Sequence, residues 1–177
     1  MITLNEVLKA RLALVESSKL SLVSNRISIL DKIPNTISQK VKILYLSNND
    51  LSKIDQIIQF ENCQNLSMGN NLVKFLEDLT CLRHLKHLEK LSLEGNPVTN
   101  MPYYREYVLG LCPHLILLDG SKVSIEERLE AKNKNKKIAA VFEQLRINEL
   151  RLAILTHFIH LSKCHIQLLK LIYGSFK

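Results

Sequence analysis

The side chains best suited to chemistry stand in the last third of this chain. His157, His160 and Cys164 fall at i, i+3 and i+7, which puts two imidazoles and a thiol on one helix face. These are zinc-ligand types, but three donors from one helix leave a tetrahedral shell one ligand short. His84 and His87 lie three apart in a helical stretch and read as surface residues, as does His114 in a linker. There is no glycine-rich phosphate loop, no G-x-S-x-G elbow and no H-E-x-x-H pair. Cys63, Cys81, Cys112 and Cys164 are far apart with no C-x-x-C pair, as in a protein that keeps reduced thiols. The residues therefore predict a non-catalytic protein without cofactor or metal.

Repetition is the stronger pattern. Leu20, Leu22 and Asn25 are echoed by Val41, Leu44, Leu46 and Asn49, by Cys63, Leu66, Met68 and Asn71, and by Leu88, Leu91, Leu93 and Asn96. The asparagines are 24, 22 and 25 residues apart. That is the L-x-x-L-x-L-x-x-N signature of a leucine-rich solenoid, in which each turn contributes one short parallel strand. The fold class expected is α/β, with about four repeats over 20–95. Inward leucines stack on their equivalents ~4.8 Å away. Asn25, Asn49, Asn71 and Asn96 form a structural column, because an amide both donates and accepts and can satisfy backbone groups at the turn. Ile27/Leu30, Leu51/Ile54, Val73/Leu76 and Val98/Met101 are expected to carry the core around to the convex side. The third repeat, with Cys63 and Met68 in place of leucines, is expected to be irregular.

A stack of repeats needs lids. At one end, residues 3–15 have helical apolar spacing and Thr3 with Glu6 makes a capping box, so residues 1–19 are expected to form a capping helix. At the other end, residues 96–123 contain Pro97, a short helical run from Tyr104, Cys112-Pro113 and a final strand from Leu115 to Leu118.

With period two, the side chains of the concave sheet are Lys19, Ser21 and Val23, then Ile43, Tyr45 and Ser47, then Asn65, Ser67 and Gly69, then Lys90, Ser92 and Glu94. Most are small and polar. Ile43 and Tyr45 stand out as an exposed apolar pair suited to anchoring a protein partner.

The run Asn96-Pro97, Tyr104-Arg105, Val108, Leu111, Pro113, Leu115 and Leu118-Asp119-Gly120 resembles the C-terminal cap of short intracellular leucine-rich repeat proteins. The resemblance covers roughly residues 1 to 130. It implies that Pro97, Tyr104, Arg105, Pro113, Leu118 and Asp119 build the cap. Within that kind, the chain looks most like the N-terminal segment of centrosomal and ciliary proteins such as centriolin, in which repeats precede long coiled coils. That likeness implies a non-catalytic scaffold in a centrosomal, basal-body or ciliary assembly of the cytoplasm. The same repeat and cap occur in a nuclear, spliceosomal kind, where the solenoid holds an RNA-binding protein, and in a phosphatase regulatory kind; these are the alternatives.

Residues 124–177 form a separate segment, expected to be helical. Ser124 and Glu127 make another capping box, and apolar residues from Ile138 to Tyr173 follow a broken heptad seam suited to self-association or helix docking. The seam stops soon, as in a short isoform or a fragment. The chain's net charge of +7 is concentrated here, where 10 Lys and Arg face 5 acids, whereas residues 1–123 carry 14 against 12. Such an excess is mild for a nucleic-acid footprint, so direct nucleic-acid binding is not expected. The start of the chain does not read as a signal peptide, and no run reaches the ~18–20 apolar residues of a membrane span.

Overall fold

In the computed structural model, residues 1–10 and 18–132 are described, and all of them fall in one unit, Met1–Asn135. The heptad seam and the cluster His157, His160 and Cys164 lie outside the described residues, as do residues 11–17 of the N-terminal helix. Strand β1 (Ile2–Thr3) leads into helix α1 (Leu4–Ala10). The expected capping box opens this helix: the Thr3 amide donates to Glu6 Oε2 at 2.8 Å and the Glu6 amide to Thr3 Oγ1 at 3.2 Å. Leu4 and Leu8 are buried on its inner side.

The main sheet takes one strand from each repeat: β2 (Lys19–Ser21), β4 (Ile43–Tyr45), β5 (Asn65–Ser67), β6 (Lys90–Ser92) and β7 (Leu117–Leu118). These strands are parallel, and Leu20, Leu44, Leu66, Leu91 and Leu118 pair in one unbroken register. The first strand thus begins at Lys19, one residue before the boundary read from the sequence. Strand β3 (Ile27–Ile29) pairs with β1 in a separate two-stranded sheet.

The sequence-expected core is closed. Leu22, Leu46, Met68 and Leu93 are all fully buried, with Ile27, Leu51, Ile54 and Val73 behind them. At ~25 cal/mol per Å² of apolar surface, each buried leucine contributes about 2 kcal/mol. Met101 departs from the expectation: it is 39% exposed, because the chain turns there towards Pro102 and the cap helix instead of continuing around the solenoid. The third repeat is regular, contrary to expectation. Its strand keeps register on both sides, and Cys63 and Met68 are fully buried. A pliable thioether fills a leucine-sized site, while the Cys63 thiol is satisfied by the Asn65 carbonyl at 3.4 Å.

The convex side is built from short helices. Helix α2 (Asn35–Ser38) serves the first repeat, and 3-10 helices Asp55–Gln59, Leu76–His84 and Pro97–Asn100 serve the next three. Repeats of 22 to 25 residues leave little chain for the return, so the helical run around Leu79, Leu82 and Leu85 winds as the tighter 3-10 form. Helix α3 (Tyr104–Leu111) closes the far end and buries Tyr104, Tyr107, Val108 and Leu109.

One element was not expected. After β7 the chain reverses through Asp119 and Gly120, both at positive φ (49° and 74°), into antiparallel β8 (Ser121–Lys122). Positive φ at both central residues is the hairpin geometry for which Asp-Gly is suited. The added strand covers the open edge of the parallel sheet. A helix then runs over 125–132, opened by the predicted capping box: Ser124 N–H to Glu127 Oε2 at 2.9 Å and Glu127 N–H to Ser124 Oγ at 3.1 Å.

Candidate protein-binding face

The strand register sorts the concave side chains into rows. Lys19, Ile43, Asn65 and Lys90 are register partners in one row; Ser21, Tyr45, Ser67 and Ser92 are partners in the next. Val23, Ser47, Gly69 and Glu94, two residues further along each strand's path, make a third. Lys19, Ser21, Val23, Lys90 and Glu94 are exposed, while Asn65, Ser47, Ser67 and Ser92 are half-buried. Ile43 and Tyr45 are half-buried, less open than their types and register suggested. Both sit on a strand flanked on each side by another. The Lys19 ammonium lies 5.1 Å from the Tyr45 ring centroid, a cation–π contact that covers part of the ring and fixes its orientation.

The middle of the face is made of small groups. Ser47 and Ser67 share a hydrogen bond of 2.8 Å between their hydroxyls. Gly69 is buried, and a Cβ there would stand 3.1 Å from the Glu94 carbonyl oxygen and 3.8 Å from the hydroxyls of Ser47 and Ser92. A low floor of serines and glycine beside one oriented aromatic lets a partner backbone approach closely and still find an anchor. Nothing in this set is arranged as nucleophile and base. The face can bind; its residues supply no catalytic pair.

The floor is held by the asparagine column. Asn49 Oδ1 accepts from the amides of Asn25 (3.0 Å) and Ile27 (2.9 Å), and its Nδ2 donates to the Leu22 and Leu46 carbonyls at 2.9 and 2.8 Å. Asn71 accepts from Leu51 N–H and donates to Leu46 and Met68; Asn96 accepts from Val73 N–H and donates to Met68 and Leu93. Each buried amide therefore bolts its own turn to the one before. Asn25 differs. With no preceding turn to serve, it is half-buried and its Nδ2 bonds only its own Val23 carbonyl at 2.8 Å.

A second column, missed in the sequence, stands directly before the first. Ser24, Asn48 and Asn70 have φ of 57°, 57° and 53°, and Gly95 has 77°. Asparagine and glycine tolerate this left-handed conformation best. The doublets Asn48-Asn49, Asn70-Asn71 and Gly95-Asn96 were its signal. Asn70 Nδ2 also donates to Asn48 Oδ1 at 2.8 Å.

At the far end the six cap residues are brought together around β7. Pro97 starts its 3-10 helix, Leu118 is fully buried, and Pro113 is exposed with its carbonyl accepting from Arg128. Asp119 takes over the column's duty: Oδ1 accepts from the Leu93 amide at 2.7 Å and Oδ2 from the buried Tyr104 hydroxyl at 2.8 Å. Arg105 donates to both oxygens of Glu127 (2.8 and 3.3 Å) and to the Leu118 and Lys122 carbonyls. The guanidinium, followed by the Ser124 amide, holds the Glu127 carboxyl at about 2, well below its ordinary 4.5. His84, His87 and His114 are exposed, and among the described residues no group of three or more His, Cys, Asp or Glu could hold a metal ion. No helix among the described residues is long and apolar enough to cross a membrane.

A single parallel column of short strands, bolted by asparagines and lidded at both ends, defines a leucine-rich repeat protein whose business is binding other proteins. The leucine-rich repeat family model matches residues 5–146, and the chain belongs to that family. Among curated relatives it is 40% identical over 92 residues to U2 small nuclear ribonucleoprotein A' of Saccharomyces cerevisiae, covering 51% of this chain and 39% of that one. The human U2 small nuclear ribonucleoprotein A' is 38% identical over 109 residues, 60% of this chain and 42% of its own. Dynein axonemal assembly factor 11 of Trypanosoma brucei brucei is 33% identical over 135 residues, 63% of this chain and 35% of its own. The chain thus spans less than half the length of these relatives. Among solved structures, a chain in the crystal structure of the Drosophila melanogaster SNF/U2A' complex matches with a TM-score of 0.65 and 29% identity, over 72% of this chain and 76% of that one.

Proposed function

We propose that this chain is a non-catalytic subunit of a nuclear ribonucleoprotein particle and that it holds an RNA-binding protein on its concave sheet. The observation that carries this reading is the match over most of the repeats to a chain of the SNF/U2A' complex, together with the identity to U2 small nuclear ribonucleoprotein A' from yeast and human. The geometry supports it: Tyr45, oriented by Lys19, faces the partner beside a serine floor low enough for a helix or strand to lie on. In this reading RNA reaches the particle through the partner.

A direct test is binding of purified Drosophila SNF to the full chain, followed by calorimetry. The wild-type chain captures it, while Tyr45→Ala and Ile43→Ala each weaken capture by about tenfold or more, as expected for a central anchor. No capture by the wild-type chain, or capture untouched by both substitutions, would sink the proposal.

The identity to a dynein axonemal assembly factor favours a second reading, a scaffold in ciliary assembly in the cytoplasm, and centrosomal kinship belongs with it. A tagged copy that concentrates in the nucleus supports the first reading; one found at the ciliary base supports the second.

A further inference from the structure

The convex side carries a groove of about 510 Å³ that the concave binding role does not use. It runs between the loop at Lys32 and Ile33, the 3-10 helix Asp55–Gln59 and the turn at His84–His87. Its walls are fixed. The Gln59 side chain accepts from the Ile33 amide at 2.8 Å and donates to the carbonyls of Asp31 and Gln56 at 3.1 and 2.9 Å, and Asn62 Nδ2 donates to the Gln39 carbonyl at 2.8 Å. Inside that frame one polar atom is left over. Gln56 Oε1 lines the groove, is shielded from solvent, and has no hydrogen-bond partner.

A shielded acceptor without a donor is costly, so its occupant should bring an N–H or O–H. The rim says what else it should bring. Lys32, Lys86, His84 and His87 are exposed around the groove, with Glu61 the acid among its lining residues, and Ile58, 41% exposed, gives an apolar wall. Phosphodiester oxygens only accept at neutral pH, so a nucleic-acid backbone answers the cations but leaves Gln56 unpaired. An extended peptide offers an amide N–H at every residue and can carry carboxylates between them. We propose that this convex groove is a second binding site, separate from the concave sheet, for an extended acidic peptide segment of a partner protein.

The test uses the full chain and a fluorescein-labelled twelve-residue peptide of alternating Glu and Ser, followed by fluorescence anisotropy. Saturable binding is expected. Gln56→Met should weaken it about tenfold, the worth of a shielded acceptor finding its donor. Lys86→Glu, at an exposed position that leaves folding intact, should weaken it at least as much. Tyr45→Ala should leave it unchanged. Absence of saturable binding overturns the proposal. So does binding insensitive to both groove substitutions, which is what attraction to the basic residues beyond 132 would give. Displacement of the peptide by a twelve-nucleotide oligouridylate at lower concentration than by unlabelled peptide would assign the groove to nucleic acid and overturn it equally.

Discussion

The hydroxyl of Tyr104 donates to Asp119 across the C-terminal cap at 2.8 Å, linking the first residue of α3 to the turn that ends the parallel sheet. Burial, and after it the Asp119 charge, raises the phenol's pKa far above its ordinary 10, so it stays a donor throughout the neutral range. Tyr104→Phe keeps the ring and removes the donor from a part-buried carboxylate. A loss of about 2 kcal/mol is expected, roughly 4–8 °C in Tm. A cycle with Asp119→Asn, which tolerates the left-handed turn, should show the two changes costing less together than their sum. Strict additivity would mean that the bond does not hold the cap.

The asparagines of the column should be far from equivalent. Asn71→Ala strips partners from the buried Leu51 amide and from the Leu46 and Met68 carbonyls at once. At 1–3 kcal/mol for each group left unsatisfied, the expected cost is about 3–5 kcal/mol. Asn25→Ala removes one exposed bond to its own turn and should cost under about 1 kcal/mol. Urea midpoints of the two variants measure the difference; similar values would deny the column its role in bolting turns.

Gly95→Ala should destabilise for two separable reasons. Its φ of 77° is unfavourable for alanine by about 1–2 kcal/mol, and the new Cβ would stand 2.1 Å from Asn70 Oδ1. Asn70 would have to move, breaking its bond to Asn48. Adding Asn70→Gly relieves the contact but not the backbone strain, so the double variant should melt above Gly95→Ala alone and below wild type.

These sites mark where the sequence was legible and where it was not. Leu44, Leu66 and Leu91 recur at fixed offsets from their asparagines, and a period written in side-chain type can be read from the chain alone. Asp119 was seen as a cap residue, but its two hydrogen bonds join elements 26 and 15 residues away, which no local pattern encodes. The Asp119-Gly120 hairpin and the left-handed column at Asn48, Asn70 and Gly95 were written in dipeptides that the repeat register overshadowed. The partial burial of Tyr45 was illegible for another reason: it depends on where the Lys19 side chain comes to rest on the neighbouring strand. The convex groove belongs to this class too, since Gln56 and His87 meet only through the curvature of the stack.

Alkaline pH should loosen the repeats through their thiols. Burial pushes Cys63, Cys81 and Cys112 up to about 12, from an ordinary 9.0. Between these limits the unfolded chain gives up a proton that the folded chain keeps. Stability is therefore intact below pH 9 and falls as pH rises towards 12, by about 1.4 kcal/mol per pH unit for each thiol. Cys63→Ala lowers the starting stability through its cavity but should flatten that slope by one thiol's worth. Denaturant midpoints measured from pH 8 to 11 with reductant present give both numbers; an unchanged slope would place the Cys63 thiol in contact with water.

The acid side should report on Arg105 and Glu127. The Glu127 carboxyl, held at about 2 by the guanidinium and the Ser124 amide, is charged in the folded chain at pH values where the unfolded one is already protonated. Its contribution is thus complete above pH 4.5 and is lost as pH falls towards 2. Glu127 is half-exposed, so solvent screens the pair, and the effect is better read from the carboxyl itself than from Tm. In Arg105→Lys the two-pronged contact becomes at best a single one. A carbon-detected NMR titration should then move the Glu127 midpoint back towards 4.5, while the helix over 125–132 frays at its start as the capping box weakens. If the midpoint stays near 2, the Ser124 amide alone sets it, and the bridge between the cap and the segment that follows is not electrostatic.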